Sequence, residues 1–169
     1  MAGQTPGSSE GGLKQVYVTG LTETSLDDLE GVGTIRFENG KWYKWVKYDD
    51  GAADLDIVAG DVLVYVAVTG YAAAVVTADV SDGDVLPIGA GLAVGTVTVT
   101  ATFMWIQIKG LDTLSLDATG SSPGDGDAIC AATNGGTNKV VIIDPPDNRV
   151  RMGVSIDDSA KTVILDCPF

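Results

Sequence analysis

The residues that could do chemistry in this sequence are mainly carboxylates, because the chain contains no histidine. That removes the usual general base and the commonest metal ligand. Closely spaced acids include Asp54 and Asp56 around Leu55, and Asp125 and Asp127 around Gly126. A glycosidase pair needs two carboxyls facing each other across a walled cleft. These pairs lie in glycine-rich stretches without an apolar pocket, and they read as solvated turn residues. Asp79, Asp82 and Asp84 could offer oxygens to calcium, but they miss the alternate-position pattern of an EF-hand loop. A serine or cysteine nucleophile would need lysine or a terminal amine as its base, and no such spacing stands out. The run Gly-Ala-Gly-Leu-Ala-Val-Gly at 89–95 suggests a dinucleotide fingerprint. Its third glycine is one position late, and strand residues continue where a helix should begin. Cys130 and Cys167 are too few and too far apart for a disulfide framework or a metal cage. They are expected as small buried side chains in a reducing compartment, with a Cys130–Cys167 disulfide as the alternative. The chain is therefore expected to be no enzyme, with no cofactor and no metal.

Charge narrows the partners further. A formal net charge of −13 argues against gripping phosphate backbones, so no nucleic-acid partner is expected. The same charge favours solubility. No apolar run reaches the ~18 residues of a membrane span, and the start lacks a basic-then-apolar signal peptide, so no membrane partner is expected.

With 169 residues, 45% apolar and 20% charged, the chain suits one folded domain. Residues 1–13 hold Gly, Ser, Thr and Pro around a single acid, Glu10. They read as a flexible N-terminal arm ahead of a β-rich domain at 14–169. That arm is either a disordered terminus or a strand of chain that orders on a neighbouring subunit.

The domain reads as many short strands punctuated by the 22 glycines. Residues 16–19 suit a short first strand. Ser25 with Asp28 three positions later signals a helix start, and Gly31 and Gly33 limit it to one or two turns. The best local signal is 34–48, where Asn39-Gly40 sits between two strand patterns. A type I′ turn there pairs Glu38 with Lys41, Phe37 with Trp42, and Arg36 with Tyr43. Phe37 and Trp42 then share one face, while Tyr43 and Trp45 take the other. Either both faces are buried within one subunit, or one is buried only against a partner. Gly60-Asp61-Val62-Leu63 and Gly83-Asp84-Val85-Leu86 are the same tetrapeptide, read as a turn leading into a strand. Residues 89–110 are expected to be a glycine turn, a β-branched strand at 94–102, and a second strand through Trp105 as a core anchor. Residues 111–116, 128–133, 139–144, 149–156 and 162–166 complete the pattern. The fold class is all-β, an antiparallel sandwich or barrel of about ten short strands with at most one short helix.

Three stretches resemble the capsid decoration (cement or head auxiliary) proteins of tailed bacteriophages. They are the hairpin at 33–46 leading into Gly60-Asp61-Val62, the passage from Gly89 to Trp105-Ile106-Gln107, and the pairing of 150–155 with the terminal Asp166-Cys167-Pro168-Phe169. The resemblance spans most of the chain after residue ~30. It implies a structural virion protein that binds the outer surface of a capsid and braces the joints between capsomers. Implied partners are the major capsid protein and the chain itself, as a dimer or trimer with the trimer favoured. The implied location is the outer capsid surface after synthesis in the bacterial host cytoplasm. On that basis the arm, ending in Leu13, and the hairpin aromatics Trp42, Tyr43 and Trp45 are the expected shell or intersubunit contacts. The alternative is a carbohydrate-binding or host-adhesion β-module of a virion, using Trp42 or Trp45 as a sugar platform.

Overall fold

The computed structural model describes residues 16–49, 55–66, 73–79, 85–98, 102–115, 123–131, 140–142 and 150–168. Within them the chain is all-β, without a helix. The strands are β1 (Thr24–Ser25), β2 (Ile35–Glu38), β3 (Lys41–Tyr48), β4 (Val62–Val66), β5 (Val75–Thr77), β6 (Val85–Ala93), β7 (Phe103–Thr113), β8 (Ala128–Ala131), β9 (Val140–Ile142), β10 (Gly153–Asp157) and β11 (Thr162–Asp166).

These strands form one mixed sheet. Only β3 and β5 run parallel among the described strands. The pairings β3–β5, β5–β4, β4–β6, β6–β7 and β7–β3 return to their starting strand, so five strands close into a ring. Beyond the ring β2 hangs on β3, and β11, β10, β8 and β9 continue outward from β7. Closing the ring occupies both edges of its strands where they pair, although β6 meets β7 only at Leu92 and Ala93.

The hairpin folds in the register that Asn-Gly dictates. Phe37 lies opposite Trp42, Arg36 opposite Tyr43, and Glu38 opposite Lys41. Asn39 at φ 53° and Gly40 at φ 79° supply the positive angles of the turn. The repeated Gly-Asp-Val-Leu also acts as expected, since β4 and β6 both begin at its valine.

Three expectations give way. First, the glycines at 89 and 91 make no turn. They lie inside β6, and the described part of 94–102 is a connection touching Ile57 through one bridge at Val97. The reason is close approach: a Cβ on Gly91 would stand 2.4 Å from the Gln107 carbonyl oxygen of β7. Second, no helix starts at Ser25. Its hydroxyl accepts from the Asp27 N–H at 3.0 Å, a local bond that competes with helix formation. The Asp28 carboxylate meanwhile accepts from the Gly31 and Val32 N–H groups. Third, residues 16–19 form no strand, and 111–113 continue β7 instead of starting a new one.

The larger core lies where Val46, Leu63, Leu92, Ile106 and Ile108 meet. A second cluster holds Tyr43, Trp45 and Trp105, with Tyr17, Leu21, Val32, Val94 and Phe103 packed around it. Most of β3 is therefore buried on both faces.

Gly91→Ala is expected to destabilise the protein by about 1–3 kcal/mol, because the clashing atom is backbone. Urea unfolding checks this, and an unchanged midpoint would contradict the close approach.

Candidate interaction surface

Among the described residues, several of the carboxylates already accept hydrogen bonds. The Asp127 carboxylate accepts from the Gly124 N–H at 2.7 Å, and Asp125 accepts from the Asp158 N–H at 3.1 Å. Asp61 accepts from the Val58 N–H at 2.8 Å and from the Ser115 hydroxyl. Asp54, Asp82 and Asp84 lie outside the described residues. No group of three His, Cys, Asp or Glu residues that could hold a metal occurs among the described ones. Cys130 and Cys167 are both buried and are not joined in a disulfide. Burial, followed by the charge of Asp166, pushes the Cys167 thiol up to about 12, so it stays protonated.

Lys44 is the chemically unusual side chain. Its Nζ donates to the Tyr65 hydroxyl at 3.1 Å and lies over the Tyr65 ring. Burial pulls its pKa below the ordinary 10.5, because the ammonium loses water. It faces the main core, opposite Ile35 on β2 and Ile106 on β7.

The residues expected to make contacts separate into two groups. Trp42 is 38% exposed and packs on Phe37, itself 59% exposed, with ring centroids 5.2 Å apart. This pair is a genuine surface feature. Tyr43 and Trp45, expected alongside Trp42 as contacts, are instead enclosed by this chain: Trp45 is fully buried and Tyr43 nearly so. Trp45 meets Trp105 edge-on at 5.2 Å and donates its Nε1–H to Asp28 at 2.8 Å. Trp105 is enclosed as expected, with its Nε1–H given to the Thr19 hydroxyl at 2.9 Å. The second face of the hairpin is thus covered by its own chain, through residues 17–32. Leu13 and the arm lie outside the described residues.

A second surface was missed from sequence. Leu111 of β7 lies opposite Ile164 of β11, Ile164 opposite Val154 of β10, and Val154 opposite Ala128 of β8. Directly opposed residues project from the same face, so the four side chains form one apolar row across four strands. Their sequence neighbours Val163, Leu165 and Ile129 are buried on the other face. Leu111 also borders a shallow groove with Asn39, Lys41, Asp112 and Thr113, where Lys41 and Asp112 form an ion pair at 3.6 Å. The usable signal was Val163-Ile164-Leu165, three consecutive apolar residues in a strand with only one face in the core.

Comparison with protein-family models, curated proteins and solved structures finds no match.

Two outcomes follow from this geometry. Trp45→Ala is expected to cost about 3–5 kcal/mol in urea unfolding, whereas Trp42→Ala loses only a cross-strand pair worth about 0.2–1 kcal/mol. Equal costs would contradict the division into body and surface. Lys44 holds its proton less tightly folded than unfolded, so its charged form weakens the fold at neutral pH. That cost fades as pH rises from the lowered value towards 10.5. The wild type should therefore gain stability relative to Lys44→Met as pH rises from neutral towards 10.5. Parallel stability profiles for the two proteins would contradict a lowered Lys44 pKa.

Proposed function

We propose that this chain is a structural virion protein that binds the outer surface of a tailed-phage capsid and stabilises the shell by bridging capsomers. Decoration needs no chemistry, only a stable body, a self-interface and a contact to the shell. The observation that carries the reading is the pair of apolar surface features on an acidic body. One is the Phe37–Trp42 pair at the hairpin, and the other is the Leu111–Ile164–Val154–Ala128 row. Contiguous exposed apolar side chains mark contact surfaces more often than they mark catalytic clefts. The stretches that resemble decoration proteins support the reading too, and each of them forms strands of the sheet. The passage from Gly89 to Gln107 contributes to β6 and β7, and the C-terminal passage forms β10 and β11. The proposed partners are the major capsid protein and further copies of this chain.

The exposed Trp42 favours a second reading, a glycan-binding module of a virion in which this ring stacks on sugar. Trp45 has no part in it, being enclosed. Binding of the isolated protein to a glycan array, abolished by Trp42→Ala, would favour this module over decoration.

Co-sedimentation with undecorated tailed-phage shells tests the proposal. The wild type is expected to pellet with shells at a fixed ratio to the major capsid protein. Trp42→Ala should lower that occupancy, and deletion of residues 1–12 tests the arm in the same assay. Wild-type protein that stays in the supernatant at every concentration would overturn the proposal.

A further inference from the structure

We infer that the apolar row on the outer face of β7, β11, β10 and β8 is the centre of a two-fold interface with a second copy of this chain. The inference rests on the capsid-decoration reading only in naming the self-interface that reading requires. The observations that carry it are the composition of the row, the charge around it and its gradient of size.

The row is apolar without interruption. Leu111 is 52% and Ile164 45% exposed, and Val154 and Ala128 are half-buried. Among the described residues, the flanks carry one ion pair, two threonines and, farther out, the Asp157 carboxylate. On one side Lys109 and Asp166 neutralise each other at 2.8 Å, and on the other Thr113 lies opposite Thr162. Asp157, beyond Thr162, turns its carboxylate to the Ser159 hydroxyl and the Ala160 N–H.

This neutral strip sits on a chain of net charge −13. A basic partner would gain most on the acidic surface elsewhere. An equally acidic second copy is repelled everywhere except where the surface is neutral and apolar. The charge distribution thus selects a second copy as the occupant.

The row also tapers, from Leu111 through Ile164 and Val154 to Ala128. A two-fold axis in the interface plane, parallel to the strands, reverses the row in the second copy. Leu111 then lies over Ala128 of the second copy, and Ile164 over its Val154. Bulk meets gap along the whole line, which gives near-even sheet-to-sheet spacing. Three strand spacings of ~4.8 Å make the row ~14 Å long. That is the core of an interface near ~800 Å² per partner, the remainder coming from Lys109, Asp166, Thr113, Thr162 and Ile156. Such an interface is isologous and closes at two copies, which separates it from the trimer that the sequence resemblance favoured.

Sedimentation velocity over a concentration series tests the inference. The wild type should approach twice the 17.4 kDa chain mass. Raising the salt should tighten the dimer, because it screens the repulsion between two acidic copies. Ile164→Lys and Val154→Glu should each be monomeric with an unchanged circular dichroism spectrum. An equimolar mixture of the two should regain dimers, because the lysine introduced in one copy then lies over the glutamate introduced in the other. A wild-type monomer at all concentrations, a trimer, or a dimer that survives Ile164→Lys would overturn the inference. The same proteins spun with capsid shells keep the two proposals distinguishable. Shell binding by Ile164→Lys monomers upholds decoration and this interface together. A dimer that survives the substitution sinks the interface whatever the shells do.

Discussion

Strand β7 is the constraint on which the rest of the structure depends, because both of its edges are occupied. Its one edge pairs with β3, and the other pairs in turn with β1, β6 and β11. The ring closes only because β6 comes close enough to bond Leu92 to Gln107 and Ala93 to Ile106, and Gly91 permits that approach. Alternation along β7 then sends Trp105 into the second cluster and Ile106 into the main core. One strand therefore supplies both apolar layers. A change that loosened it would unseat the sheet on either side.

Burying two tryptophans imposes a further condition. An indole N–H shut away from water needs an acceptor, or the burial loses much of its benefit. Asp28 serves Trp45 and Thr19 serves Trp105, so the segment ahead of the hairpin is fixed by the rings that it covers. Arg36 ties the arrangement together. Its guanidinium lies over Tyr17 and Trp105, donates to the Thr19 carbonyl and pairs with Glu38. Charge-assisted bonds of this kind are short and directional, which explains how a segment without strand structure seals an aromatic cluster.

Local chemistry was legible in the sequence, and distant contacts were not. The Asn39-Gly40 turn set the hairpin register to the residue, since its φ angles admit few alternatives. The two C-terminal strands and the buried Trp105 were readable from pattern. The glycines at 89–91 misled, because a glycine needed for close approach looks the same as one needed for a turn. The helix signal at Ser25 failed for a comparable reason, as the Asp28 carboxylate was claimed by an indole 17 residues away. The contact residues divide in the same way. Alternation correctly put Tyr43 and Trp45 on one face and Trp42 on the other, yet it could not say which face the chain itself would cover. The apolar row draws its four residues from four strands, so only the register assembles it.

The proposal joins a ring-closed sheet to two exposed apolar features and gives them work on a capsid. Its central claim is that this protein occupies the joints between capsomers. Electron cryomicroscopy of undecorated shells incubated with excess protein tests that claim most directly. The account predicts ordered extra density over those joints, with the Phe37–Trp42 hairpin turned towards a neighbouring chain. Shells that look identical with and without the protein would contradict it.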